Sequence, residues 1–387
     1  LTTRSGGFDE SPVVAYSSSI PDGSVARGMR PSVAERFSQA RNGAAGYRDA
    51  VATKQKQVHA PGRVNLIGDH TDYTGGLVFP MAIDRGTTIE FEPGGTSIAL
   101  SSDAEPGPID VALPVAGDPG VVTPAWARYI AAMAREIGSV SGLTGSIRSD
   151  IPTGAGLSSS AALECAIGLA LGFDGTPTDL ARAAQRAEHA ATGVPTGIMD
   201  QLCIAAATEG HATMIDCHTL EITQVPVPTD VDIVVEFVAH RTLVGSPYAD
   251  RVAECARAET VIGPLRSATL DDIGRARHHL DDIAWRRARH VVTENERVRA
   301  FASALGNGDY TRAGRLMNAG HESLGADFET STPAMDAAVS RLVDTPGVFG
   351  ARMTGGGFGG CVVVLCEPGS ITSSGWIVHA ARGAHHM

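Results

Sequence analysis

Apolar and polar residues first fall into a regular pattern near Gln57. Residues 58–60 and 64–67 predict two short strands separated by a loop at Pro61-Gly62-Arg63. Residues 77–83, 87–91 and 97–100 predict further strands of one mixed sheet. The period then changes. Trp126, Tyr129, Ile130, Met133 and Ile137 share one face of a helix predicted over 126–137. A strand at 145–149 runs into a glycine-rich loop. It is followed by a buried helix at 157–171, a helix at 178–192 capped by Thr178, and a third helix at 197–207. Further on, 231–239 predicts a strand, and 248–262, 286–305 and 309–324 predict helices. Residues 348–354 and 359–366 read as strands joined by a glycine turn, and 375–384 as a short closing segment.

The run Val225-Pro-Val-Pro-Thr-Asp230 breaks this succession with two prolines and marks a domain boundary, giving domains at 31–225 and 226–387. Residues 1–30 are rich in Ser, Gly and Pro without periodicity. They read as a disordered leader, with Met29 as an alternative start, and a short helix is expected at 31–42.

Composition narrows the function. The chain has 387 residues and a formal net charge of −12, with no basic tract, so neither nucleic acid nor a membrane surface is an expected partner. Lys54 and Lys56 are the only lysines, and neither lies in a GxxxxGK[ST] loop or a VAIK-like strand, which removes two large nucleotide-binding classes. The six cysteines form no CxxC pair, as expected of reduced thiols in a cytoplasmic protein. No apolar run reaches the ~18 residues of a membrane span.

Three clusters carry chemistry. Between residues 61 and 76, Arg63, Asn65, Asp69, His70 and Asp72 are packed between apolar strands, which suits hydrogen bonding to the vicinal hydroxyls of a sugar. In Ile151-Pro-Thr-Gly-Ala-Gly-Leu-Ser-Ser-Ser-Ala-Ala162, Gly154 and Gly156 uncover backbone N–H groups ahead of a helix N-terminus, an anion cradle that needs no lysine. In Gly197-Ile-Met-Asp-Gln201, Asp200 is a carboxylate among apolar residues that requires a partner, and Arg63 is the natural one. Asp200 could then act as a general base, or Arg63 could hold it too acidic for that role and leave catalysis to positioning and charge.

These strings resemble a known family. Residues 62–76 are similar to the galactokinase signature GRVNLIGEHTDYNGG, 152–162 to the phosphate motif PxGxGLSSSAA, and 197–201 to GIMDQ. Residues 246–255 are similar to SxYNxRRxEC, and 350–361 to the third motif of the GHMP kinases, with 289–297 and the 126–129 WxNYV region also matching. The resemblance spans about 58–366. It implies an α+β, two-domain GHMP kinase fold with an N-terminal ribosomal-S5-like domain and a C-terminal ferredoxin-like domain. It implies a monomer that uses ATP and Mg²⁺ to phosphorylate galactose at its anomeric hydroxyl, opening galactose catabolism.

By the same resemblance, Asp200 and Arg63 serve chemistry, and Asp69, His70, Asp72, Gly197 and Tyr248 bind the sugar. Gly154, Ala155, Gly156, Leu157, Ser158, Ser159 and Ser160, with Trp126 and the turn Gly355, Gly356 and Gly357, hold ATP. Ser160 and Glu188 ligate Mg²⁺. Two departures stand out: Asp69 replaces the usual Glu and Thr74 the usual Asn, so that a contact from Asp69 to the sugar would need water or a loop shift. The rival readings are a kinase for N-acetylgalactosamine or arabinose, and a non-catalytic galactose sensor.

Overall fold

The computed structural model describes residues 55–241 and 245–387. The leader at 1–30 and the helix expected at 31–42 lie outside the described residues. The chain opens on two long strands, β1 (Lys56–Ile67) and β2 (Leu77–Pro93). Each replaces two expected strands. Pro61-Gly62 is not a loop: the strand continues through a register shift between Pro61 and Arg63. Gly62 is there because the backbone of the glycine-rich loop approaches it. A Cβ at Gly62 would lie 2.8 Å from the Leu157 carbonyl, which accepts the Arg63 N–H at 3.1 Å.

The order continues β3 (Ser97–Ser102), β4 (Ile109–Ala112), α1 (Ala127–Glu136), β5 (Leu143–Ser149), α2 (Ser159–Ala170), α3 (Pro177–Thr192) and α4 (Met199–Ala206), then the hairpin β6 (His211–Asp216) and β7 (Glu221–Pro226). Two helix starts differ from expectation. Ser158 adopts φ 62°, outside the helical region, so α2 begins at Ser159, two residues later than expected. The cap of α3 is Thr176 rather than Thr178: Thr176 accepts from the Asp179 N–H, Asp179 answers to the Thr176 N–H, and Pro177 fills the first helical position.

The second half runs β8 (Asp232–Ala239), α5 (Tyr248–Ile262), α6 (Leu270–Ala276), α7 (Asp282–Gly306), α8 (Tyr310–Ala326), α9 (Pro333–Val343), β9 (Val348–Thr354), β10 (Gly360–Cys366), β11 (Trp376–Ile377) and β12 (His385–His386). Eight strands form one sheet in the order β12-β1-β2-β5-β3-β4, with the β6–β7 hairpin joined to β2; four form another, β11-β8-β10-β9. The strand β12 returns to the first sheet, where His385 and His386 pair with His59 and Val58.

Strand alternation explains how the two sheets share a core. In β8 and β10, Ile233, Val235, Cys361, Val363 and Leu365 face the large cluster built on the first sheet. Their alternates Val234, Val362, Val364 and Cys366 face α5, α7 and α9. A strand buried on both faces reads as a continuous apolar run, which is what Gly-Cys-Val-Val-Val-Leu-Cys366 is. This packing carries the β9–β10 turn to the end of β1 and the start of α2. Among the described residues, no helix is long and apolar enough to cross a membrane.

Candidate active site

Arg63, only 2 % exposed, donates Nε to Asp200 Oδ1 at 2.7 Å and Nη2 to Oδ2 at 2.6 Å. Asp200 lies in the first turn of α4, where the helix end favours a carboxylate. This is the two-point fork of a strong charge-assisted pair. Arg63 Nη1 also donates to the Gly156 carbonyl at 2.8 Å, and Ser158 Oγ donates to Asp200 Oδ2 at 2.5 Å. The expected couple is therefore formed and bolted to the glycine-rich loop. Burial opposes charge on Arg63, but Asp200 outweighs it and holds the guanidinium above its ordinary pKa.

The couple lines a cavity of about 330 Å³. One wall is the loop after β1. The Asp72 carboxylate there lies against Gly197, where a Cβ would come within 1.8 Å of Oδ2. Burial, and then the charge of Asp200, raise Asp72 to a pKa of about 7. His70, at φ 63°, has its ring 4.7 Å from Phe328 and 5.4 Å from Tyr248, and its Nδ1 lies 3.1 Å from the Tyr73 hydroxyl. Burial and the neighbouring His290 hold its pKa well below the usual value, so the imidazole is neutral and sits close to the Gly356 backbone. Tyr248, at the head of α5, completes this wall. Asp69 belongs to it too, but both its oxygens already accept donors: Arg352 Nη2 at 2.6 Å and the Gly355 N–H at 2.8 Å.

The opposite wall is the 151–162 loop. Gly154 and Gly156 adopt φ 73° and 75°, and with Ser158, Ser159 and Ser160 they line the cavity ahead of α2. Ser160 Oγ donates to Glu188 Oε1 at 3.0 Å, while Glu188 Oε2 accepts from Thr196 Oγ1 and Gln201 Nε2 at 2.9 and 2.7 Å. Burial, and then Asp200, raise the Glu188 pKa. Among the described residues, no group of three or more His, Cys, Asp or Glu is placed to hold a metal. Ser160 and Glu188 thus offer two oxygens, one of them an anion crowded by another. That fits Mg²⁺, which takes one or two protein oxygens and fills the rest of its octahedron with phosphate and water.

Gly355 and Gly356 close the cavity; a Cβ on Gly355 would lie 3.1 Å from the Gly156 carbonyl. Three predicted residues lie outside the wall: Ala155 and Leu157 point into the core, and Gly357 packs on the Thr330 carbonyl. Trp126 lies in a second cavity of about 240 Å³, with its Nε1 buried and unpartnered among the described residues; Tyr129, Ser159 and Ser160 line both cavities.

The sequence reading missed Arg241. Its guanidinium faces the cavity between Gly156 and Gly356, and its buried Nη1 has no hydrogen-bond partner among the described residues. Among the described residues no carboxylate lies within salt-bridge reach of it. Burial, and then Arg63, lower its pKa. It was legible only as an arginine seven positions before Tyr248, in a stretch without periodicity. Glu164 on α2 was also missed: it is fully buried near Gln201, and burial and Glu188 raise its pKa far above the ordinary value.

Comparison with known proteins adds a second line of evidence. The galactokinase galactose-binding signature matches residues 46–93, the GHMP kinases N-terminal domain 125–208 and the GHMP kinases C-terminal domain 301–371. The galactokinase of Bos taurus is 39 % identical over 359 residues, covering 89 % of this chain and 91 % of its own. That of Chloroflexus aurantiacus is 41 % identical over 323 residues, covering 79 % and 82 %. The crystal structure of Lactococcus lactis galactokinase complexed with galactose superposes with a TM-score of 0.82 at 30 % identity, covering 91 % of this chain and 98 % of that one.

Proposed function

The chain belongs to the galactokinase family of the GHMP kinases, and on that premise we propose a division of labour in its cleft. The protein is a kinase that phosphorylates galactose with ATP. The phosphoryl group goes to the anomeric hydroxyl, which the Asp69–Asp72 wall, Gly197 and Tyr248 present to the Arg63–Asp200 couple. Asp200 accepts the hydroxyl proton as the sugar oxygen bonds to the γ-phosphorus and the bond to the departing ADP oxygen breaks. A carboxylate has about four acceptor positions, and Arg63 and Ser158 occupy three of them on Asp200, leaving one for the substrate. Arg63 fixes this geometry. Arg241 and the loop residues Gly154, Gly156 and Ser158–Ser160 face the phosphates, where charge spreads over the transferred group. Ser160 and Glu188 would hold Mg²⁺, which would supply charge neutralisation for the phosphates. We take the two lobes to divide at 225/226, at the last residue of β7 and ahead of β8.

The observation that carries this reading is the Arg63–Asp200 fork standing between a polar sugar wall and a lysine-free phosphate loop. Steady-state assays should give galactose the highest kcat/KM in a panel with N-acetylgalactosamine and arabinose, and ³¹P NMR should show galactose 1-phosphate. Asp200→Asn should lower kcat by ~10²–10⁴-fold, the range of a lost general base, with galactose affinity retained. Near-normal turnover of that variant would remove the base role.

A further inference from the structure

The segment that carries the sugar wall and the turn that closes the phosphate side are far apart in sequence, Asp69 and Gly355 being 286 positions apart, yet side chains tie them directly. Asp69 Oδ1 accepts the N–H of Gly355, the first residue of the glycine turn, at 2.8 Å. Asp69 Oδ2 accepts Arg352 Nη2 at 2.6 Å, and Arg352 Nη1 donates to Glu294 Oε1 at 2.8 Å. Glu294 Oε1 also accepts the Gly68 N–H at 2.9 Å, so the residue before Asp69 is held from the same side. Thr354 Oγ1 accepts the Asn65 N–H at 2.7 Å and donates to the Asn65 carbonyl at 3.1 Å. Asp69, Arg352, Glu294 and Thr354 are all at most 1 % exposed. Buried charges in such a network are expensive unless every member is satisfied, and removing one strands the others.

The tie has a direction. Gly355 stands against the Gly156 carbonyl, and that carbonyl accepts Arg63 Nη1 at 2.8 Å. A displacement of Asp69 is therefore passed through Gly355 to the phosphate loop and to the couple that meets the reacting hydroxyl. A shorter acid is well matched to this tie, since the Asp69 carboxylate reaches Arg352 and the turn while still lining the cavity.

We propose that Asp69 and Arg352 form a latch that couples the sugar wall to the glycine turn, so that bound sugar and bound nucleotide strengthen each other's hold. In this role Asp69 is a positioning residue as well as part of the wall. The inference rests on the galactokinase reading of the cleft but goes beyond it, because a sugar wall and a phosphate loop could serve catalysis while binding independently.

The test is calorimetric titration of the full chain with galactose, with and without a non-hydrolysable ATP analogue and Mg²⁺. The latch predicts that the nucleotide tightens galactose binding by at least ~5-fold, the lower end of ordinary site coupling, and by reciprocity the reverse. Asp69→Asn should reduce that factor to near one, and Asp69→Glu, which keeps the charge, should retain part of it. In kinetics, Asp69→Asn should raise KM for ATP as well as for galactose. Independent binding in the unaltered protein would overturn the latch whether or not any variant folds. So would an Asp69→Asn protein that binds galactose more weakly with its coupling intact, the behaviour of a plain sugar ligand. Failure to bind galactose or nucleotide at all would instead overturn the functional reading.

Discussion

Replacing Arg241 with Met should make the ligand-free protein more stable and the enzyme far slower. Arg241 presents a buried Nη1 without a partner and lies near the positive Arg63, with no carboxylate within salt-bridge reach among the described residues. An unmet buried donor costs ~1–3 kcal/mol. Met keeps the stem and its packing while removing the donor and the like-charge repulsion. Because the rest of the guanidinium sees the open cleft, we place the gain at the low end, ~1–2 kcal/mol, or ~1–3 °C in Tm for a protein of this size. The catalytic cost runs the other way. A preorganised donor aimed at developing charge is typically worth ~10²–10³ in kcat, so Arg241→Met should lose about that factor while KM for galactose moves little. Differential scanning fluorimetry without ligands, paired with a coupled ADP-release assay, reads both quantities. A lower Tm would show that Arg241 has a structural partner. A kcat within ~3-fold of wild type would show that it does not face the transferred phosphoryl group.

Gly197→Ala drives a methyl group into the space of the Asp72 carboxylate, 1.8 Å from Oδ2. The displaced acid should raise KM for galactose at least ~10-fold, against an overpacking cost of ~1–3 kcal/mol seen in Tm; an unchanged KM would place Asp72 away from the sugar. Asp72 also predicts a pH dependence. Its folded pKa of about 7 lies above the unfolded value, so the folded state binds the proton more tightly. Ionisation of Asp72 therefore costs stability increasingly from near pH 4 up to about 7, and the cost is complete above that. Asp72→Asn should raise Tm most at pH 8 and progressively less toward pH 5, and a pH-independent difference would refute the shift. If the sugar needs the ionised acid, kcat/KM of the unaltered enzyme should fall as pH drops through about 7.

What could be read from the sequence was local. The 151–162 loop, the 348–366 turn and the Tyr248–Ile262 helix are set by contiguous glycines or by unbroken helical spacing, and the fold contains them. Misread punctuation explains most errors within elements. Gly62 looked like a turn residue, but it is an extended glycine that admits a neighbouring carbonyl. Thr178 looked like a cap, although Thr176-Pro177 with Asp179 forms a complete capping box two residues earlier. The β6–β7 hairpin lacks a strong turn dipeptide at Cys217–Leu220, and Leu220 itself takes φ 61°. The Arg63–Asp200 couple could be inferred because a buried carboxylate demands a cation. The Asp69–Arg352–Glu294 network could not, because nothing in any one stretch says which of 29 arginines it will meet.

The return of β12 to β1 has a mechanical meaning. His385 and His386 lie along Val58 and His59, and the Ala381 amide reaches the Ala82 carbonyl, so the polypeptide leaves the first sheet, builds the second and is stitched back into the first. Neither lobe can be peeled off with its partner left intact, and heat or denaturant should melt the two in a single step. The same stitch covers the first residues of the outer edge of the strand bearing Arg63, at Gln57–His59, which would otherwise invite a strand from a neighbouring molecule. Solubility during synthesis thus depends on a segment that leaves the ribosome long after the strand it shields.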